Sequence, residues 1–273
     1  FKFRVKSLNI RKFFEKLHAR NHRKLIIIDE NLAFVGGMNF NSDELKWKDL
    51  LVEIKGPIVS QLIEASKEMK EIASKLNVFE FRRIDKKLTK EFKGSDLIIR
   101  QVPGTRHRLM KKSLFQMLDS AKEEILFTTP YFTPDLPFMS HLRKAIKRGV
   151  KVKIIIPKKC DVYFADILNK WHAFVEHNQG SEIYMYRGMT HAKYAVVDGR
   201  VCTFGSSNMD YQTWLHNYEL NIISSNEKLS RDLRKMFYET LEQSQRFTNR
   251  TWWLRSPIRR LLGPIIKLFK KHF

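Results

Sequence analysis

Cysteine is scarce in this chain: two residues in 273, Cys160 and Cys202, neither with a His or Cys neighbour at zinc-ligand spacing. That excludes a disulfide framework and a cysteine-based zinc module, and makes reduced structural thiols the plain reading. Long apolar runs are also missing. The best of them, LIII at 25–28, is closed by charge, far short of the roughly 18 to 20 residues that span a bilayer. The chain starts at Phe1 with no charged, apolar and cleavage regions in the order of a signal peptide, so the N-terminus reads as processed or truncated. Acidic residues are few beside basic ones, 29 against 51, which leaves a formal net charge of +22. Such an excess draws the protein to polyanions, nucleic acid and anionic lipid alike. Part of it is ordinary helix surface, as in EASKEMKEIASK at 64–75, where opposite charges stand three or four apart. A hydrophobic content of 43% with 12% aromatics is that of a chain with a core.

What the chain does have is an internal repeat. HRKLIIIDENLAFVGGMN at 22–39 and HAKYAVVDGRVCTFGSSN at 191–208 align without a gap, both as H-x-K-x4-D-x6-G-x2-N. The fixed positions are His22, Lys24, Asp29, Gly36 and Asn39, and then His191, Lys193, Asp198, Gly205 and Asn208. Five such positions arise by chance in roughly one chain in ten thousand, and twice in one chain far more rarely. The surroundings repeat too, since about 27 residues past each His an acidic residue, Asp49 or Glu219, leads into a strand-like run. Each motif opens on a β-branched apolar run, LIII or YAVV, closed by a turn, which predicts a buried strand. Alternation on a strand then sends His22 and Lys24 the same way, and His191 and Lys193 likewise. Asp29 and Asp198 fall at an odd offset near the strand end, which reads as a structural place within the motif. Asn39 and Asn208 are equally suited to capping a helix and to donating an amide to an anion.

A phosphodiester repels nucleophiles, so its catalyst must bring positive charge, a nucleophile and a proton for the leaving alkoxide. Two His-Lys pairs bring all three: one neutral imidazole to attack phosphorus, a protonated one to release the alcohol, two ammonium groups and two amides to hold oxygens. No metal or other cofactor is called for. A buried carboxylate beside each imidazole would hold its tautomer, a role that suits Asp49 and Glu219. His18, His107, His141, His172, His177, His216 and His272 lack this context and read as ordinary residues.

Between the motifs, DLIIR at 96–100, EILFTT at 124–129 and VKVKIII at 150–156 read as strands, and residues 106–124 and 138–149 as helices. Strand alternating with helix predicts an α/β sandwich on a mixed sheet. About 95 residues of such material precede His191 within its half, but 21 precede His22, so the first lobe reads as N-terminally truncated. The expected division is 1–92 for the first lobe, 93–247 for the second and 248–273 for a tail. In that tail Ile258, Leu261, Leu262, Ile265, Ile266 and Phe269 form one helical stripe, with Arg259, Arg260, Lys267, Lys270 and Lys271 opposite, and Pro264 as a kink. With Trp252 and Trp253 at its start, it suits a helix in a lipid interface; a helix docked on the protein's own surface is the other reading.

The paired motifs resemble the phospholipase D superfamily. NHRKLIIID with GGMN, TPYFTPD at 129–135 and HAKYAVVDG resemble its bacterial cardiolipin synthases, and the likeness runs over most of residues 15–240. The resemblance implies an α/β fold of two phospholipase D-like sandwich lobes about a pseudo-twofold axis, with His22 and His191 facing one phosphate, His22 as nucleophile and His191 as acid and base. Where many relatives carry Ser after the motif Gly, the copies here carry Gly37 and Ser206, and Gly is common there among cardiolipin synthases. The implied reaction joins two phosphatidylglycerols into cardiolipin and glycerol at an anionic phospholipid membrane, on the cytoplasmic face of a bacterial cell membrane, with N-terminal membrane segments outside this chain. Tyr131 and Phe132 would line the lipid path or pack in the core. A phospholipase D, a phosphatidylserine synthase, a nuclease of the superfamily and an inactive membrane-binding fragment stay open as alternatives. Two motifs in one chain and the Trp-Trp tail count against the nuclease.

Overall fold

A computed structural model of the chain describes residues 20–74, 96–101, 109–210, 213–214 and 217–253, together with 257, 262 and 264. In chain order the strands are β1 (Arg20–Asn21), β2 (Leu25–Ile28), β3 (Leu32–Gly36), β4 (Leu51–Lys55), β5 (Asp96–Gln101), β6 (Glu124–Thr128), β7 (Phe132–Thr133), β8 (Lys151–Pro157), β9 (Glu182–Tyr186), β10 (Tyr194–Val197), β11 (Val201–Gly205), β12 (Met209–Asp210), β13 (Asn217–Ser224) and β14 (Ser244–Arg246). The helices are α1 (Ile58–Ser74), α2 (Leu109–Ser120), α3 (Leu136–Lys147), α4 (Tyr163–His177), α5 (Glu227–Glu242) and α6 (Asn249–Trp253), with a short 3-10 turn at Glu44–Lys46. The fold is mixed α/β, as expected.

The main sheet runs β1-β13-β11-β10-β6-β8-β9-β14, with β5 also on β13, and β2-β3-β4 form a smaller antiparallel sheet. Alternation along the central strands builds two cores. Ile125, Phe127, Ile154, Ile156, Ala195 and Val197 point to one face, among residues from α2, α3 and α4. Leu126, Ile155, Tyr194 and Val196 point to the other, where they meet Ala33 and Val35 of β3 and Leu62 of α1. This second core is shared by both sheets. Burial of such aliphatic side chains contributes roughly 1.5 to 3 kcal/mol each, so the two halves are held together by their main source of stability.

Local signals start and stop the helices. Asp135 caps α3 by accepting from the Phe138 amide at 3.1 Å, with Pro137 in the first turn. Phe138, Met139, Leu142 and Ala145 recur at helical spacing on its buried face, and Gly149, at φ 89°, allows the exit into β8.

The repeat of sequence is a repeat of structure. Leu25 pairs with Val35 and Ile28 with Leu32 in one hairpin, Tyr194 with Phe204 and Val197 with Val201 in the other, at corresponding positions. Each second strand then pairs antiparallel with a third, β4 or β13. Close approach explains the motif glycines: a Cβ on Gly36 would lie 2.0 Å from the Leu50 carbonyl oxygen, and one on Gly205 2.2 Å from that of Leu220.

Candidate active site

His22 and Lys24 come just before β2, and His191 and Lys193 just before β10, rather than within the strands. The common direction expected of each pair holds all the same. Lys24 Nζ donates to the His22 carbonyl at 3.0 Å, and Lys193 Nζ lies 2.6 Å from the His191 carbonyl and 2.9 Å from His191 Nε2. Arg23, between His22 and Lys24, turns the other way, to Glu68 of α1 at 3.6 Å and the Gln101 carbonyl at 3.4 Å, and so fixes the alternation.

The two copies exchange strands. β1 lies parallel to β13, and the His22 amide donates to the Tyr218 carbonyl at 3.0 Å. Reciprocally, Lys48 bridges Thr190, and the His191 amide donates to the Lys48 carbonyl at 2.7 Å. Each histidine therefore stands beside the acid of the other copy: His22 Nδ1 is 3.0 Å from Glu219 Oε1, and His191 Nδ1 is 2.8 Å from Asp49 Oδ2. A carboxylate on Nδ1 leaves Nε2 of each ring for chemistry.

Burial gives the site its electrostatics. His191 is held below its ordinary pKa chiefly by desolvation, against the hydrogen bond it donates to Asp49. Lys193, fully enclosed, is lowered to about 7 by desolvation, with Asp49 opposing and Lys24 adding to the fall. Lys24 is lowered by burial too, while Glu219 and Asp49 oppose. Residues of both copies thus act on one another at a single point.

The contacts behind the two acids are asymmetric. Ser206 Oγ donates to Glu219 Oε2 at 2.5 Å and accepts from the Leu220 amide at 3.0 Å. At Gly37, its counterpart, a Cβ would lie 2.6 Å from Asp49 Oδ1 and 2.9 Å from the His191 carbonyl oxygen. Asp49 instead accepts from the Leu50 amide at 2.7 Å. Asn39 donates to Glu44 at 2.5 Å, and buried Asn208 hydrogen-bonds Asp210, which also accepts from the Thr213 amide at 2.6 Å. Trp47, with its ring 5.5 Å from that of His191, Glu44 and Asp210 escaped the sequence reading, and Ser206 stood there only as the residue after the motif Gly; the position of Trp47 two residues before Asp49 was the one available signal.

Other expected site residues stand elsewhere. Asp29 and Asp198 occupy the turns beyond β2 and β10 at φ 49° and 53°. Asp198 accepts from the amides of Lys122, Glu123 and Glu124 at 2.8 to 2.9 Å, at the strand end remote from His191. Phe132 is buried in the core, and Tyr131 donates to Asp161 at 2.8 Å. Trp252, expected at a membrane, is 3% exposed and stacks on Phe174 at 4.7 Å, because the chain packs α6 against α4; Trp253 is 62% exposed. Arg259, Arg260 and Lys267 lie outside the described residues. Among the described residues no three His, Cys, Asp or Glu gather as metal ligands, and no helix is long and apolar enough to cross a membrane.

A family model described as the phospholipase D-like domain of cardiolipin synthase matches residues 114–241. The chain is 32% identical over 269 residues to a cardiolipin synthase of Clostridium perfringens, covering 93% of this chain and 56% of that protein. Both likenesses are to members of the phospholipase D superfamily. A probable cardiolipin synthase of Bacillus subtilis is 27% identical over 265 residues, covering 94% of this chain and 53% of its own length. This phospholipase D-like chain thus spans about half the length of the relatives it matches. Its fold is similar to that of a phosphatidylserine synthase from Haemophilus influenzae, with a TM-score of 0.67 over 92% of this chain and 70% of that one at 14% identity.

Proposed function

We propose that the protein is a cardiolipin synthase, which transfers a phosphatidyl group from one phosphatidylglycerol to another and releases glycerol. The observation that carries this reading is the pair of imidazoles, each on a carboxylate of the other copy, with Lys24 and Lys193 between them. The identity to cardiolipin synthases supplies the lipid class.

In the first step Nε2 of His22 attacks phosphorus; the P–N bond forms, the P–O bond to glycerol breaks, and imidazolium His191 gives its proton to the departing oxygen. In the second, a hydroxyl of another phosphatidylglycerol attacks phosphorus, neutral His191 takes its proton, and the P–N bond breaks. His22 is the more reachable ring, its side chain 26% exposed against 6% for His191, which suits the attacking role. An arriving phosphodiester anion favours the protonated forms of His191 and Lys193 that burial disfavours. Lys24, Lys193, Asn39 and Asn208 would hold the non-bridging oxygens, Asp49 and Glu219 the imidazoles. Asp29 and Asp198 act on the framework in this reading, since the carboxylate of Asp198 is taken up by three backbone amides. The partner is an anionic phospholipid membrane, on the cytoplasmic face of a bacterial cell.

Vesicles of phosphatidylglycerol incubated with the protein, with products followed by mass spectrometry, test this directly. Cardiolipin and glycerol in equal amounts are expected. Phosphatidic acid alone, or no lipid product, overturns the reading.

A further inference from the structure

We infer that the loops ringing the paired histidines form a membrane-docking rim, separate from the C-terminal tail, that seats the catalytic end of the sheet on an anionic phospholipid surface. The inference rests on the phospholipid reading of the substrate.

The topology gathers four loops at one end. β6 and β8 are parallel and β10 runs against β6, so the ends of β6 and β8 and the approach to β10 coincide. The segment 129–136 follows β6, 158–164 follows β8, and 187–190 leads to His191. The fourth loop, 37–48, begins at Gly37 against the His191 carbonyl and ends at Lys48, hydrogen-bonded to Met189. Tyr131 and Asp161 tie the two middle loops together.

Of the eight large apolar side chains exposed among the described residues, six stand on these loops or on the helix starts they lead into: Phe40, Leu45, Leu136, Val162, Tyr163 and Phe164, between 47% and 69% exposed. The other two, Ile28 and Trp253, lie at the far end of β2 and at the last residue of α6. An exposed apolar set gathered at one end of a protein marks a contact surface. Its chemistry names the partner. Lys46, Lys158, Lys159 and Arg187 are exposed among the apolar tips, against Asp43 and Asp161 of opposite sign. Apolar tips with basic side chains around them fit the boundary between acyl chains and anionic headgroups, where the tips leave water and the cations meet phosphate. A nucleic acid duplex would satisfy the cations but offers no apolar phase to the six tips. Seated in this way, the rim brings the imidazoles to the headgroup plane, and a phospholipid reaches them without leaving the bilayer.

The test compares the protein with the triple variant Leu136→Ser, Val162→Ser, Phe164→Ser and with Trp253→Ser. Each is measured for partitioning onto vesicles of phosphatidylglycerol and phosphatidylcholine, for its melting temperature and for turnover of monomeric short-chain phosphatidylglycerol. The triple variant is expected to lose at least tenfold in partitioning while its melting temperature and its turnover of the monomeric lipid stay as they were. Trp253→Ser is expected to partition like the parent. Lys158→Gln with Lys159→Gln should weaken partitioning as the phosphatidylglycerol fraction rises. Unchanged partitioning of the triple variant, or loss confined to Trp253→Ser, overturns the rim. Rim-dependent partitioning without turnover of either lipid upholds docking and overturns the proposed chemistry instead. Tight duplex binding abolished by the same three substitutions, with no vesicle binding, overturns the lipid partner.

Discussion

His191 Nδ1 meets Asp49 Oδ2 at 2.8 Å across 142 residues of chain, while His22, in the same copy as Asp49, turns to Glu219 across 197. The two halves of the repeat therefore complete each other, and neither holds an imidazole with its own orienting acid. Asp49→Asn is expected to lower turnover by about 10² to 10⁴-fold, the range set by losing the carboxylate that fixes an imidazole tautomer. Because of the crossing, the ring NMR signals of His191 should move and those of His22 should stay. Glu219→Gln should give the opposite pattern. A shift of the ring in the same copy as the mutated acid would refute the exchange.

Replacement of either histidine by Ala is expected to abolish phosphatidyl transfer while vesicle binding persists. Attack and proton donation are separate tasks that one ring cannot perform together. Chelators should leave the parent's rate unchanged, since in the proposed mechanism imidazoles and ammonium groups supply the nucleophile, the acid and the positive charge. Turnover near the parental level in either variant would sink the shared site, and product analysis by mass spectrometry is sensitive enough to decide.

Lys193 sets a pH dependence whose sign can be worked out. Burial lowers its pKa to about 7, so above that point it sheds the charge that attracts phosphate. Affinity for inorganic phosphate should fall as pH rises through 7, approaching tenfold per unit for one linked proton. Stability should move the other way: between about 7 and the ordinary lysine value near 10.4 the unfolded chain binds more protons, so unfolding becomes harder as pH rises there. Below about 7 both states hold the proton and this contribution is flat. Isothermal titration at three pH values, with Lys193→Arg as the variant that keeps its charge, checks the binding limb.

Gly37 and Ser206 occupy matching places but are damaged by opposite changes. Gly37→Ser forces a side chain within 2.6 Å of Asp49 Oδ1 and 2.9 Å of the His191 carbonyl oxygen, and should cost more than tenfold in turnover by displacing both. Ser206→Ala takes the hydroxyl from the Leu220 amide and from Glu219 Oε2, which keeps His22 Nδ1 at 3.1 Å, with a stability loss of about 1 to 3 kcal/mol expected for the buried polar groups. Melting curves beside rate measurements separate the two effects.

The neighbouring tryptophans of the tail differ in the same testable way. Trp252→Ala should destabilise the fold by about 3 to 5 kcal/mol as a large core deletion, and Trp253→Ala should stay within about 0.5 kcal/mol, as exposed substitutions usually do. Chemical denaturation of the two variants checks it.

Much was legible in the residues alone. The paired pentads, the acid downstream of each, the strands expected at 96–100, 124–129 and 150–156, each met within a residue by the fold, and the α/β class follow from spacing and periodicity, which are local properties of a chain. Alternation even settled that His and Lys of each pair face together, although both residues precede the strand. Local patterns carry no information on long-range partners, and there the tertiary structure decided. That β1 joins β13, and that Lys48 joins Thr190, follows from the core shared between the two sheets, and those two pairings alone cross the acids. Burial was decided in the same way: Trp252 and Trp253 are equivalent in type, but the packing of α6 on α4 takes one ring into the stack with Phe174 and leaves the other outside. The sequence by itself determined which groups could do phosphoryl chemistry. The fold decided which of them stand together, and enclosure in a dry interior gave Lys193 its lowered pKa, because the cost of desolvating a charge exists only once the chain has closed around it.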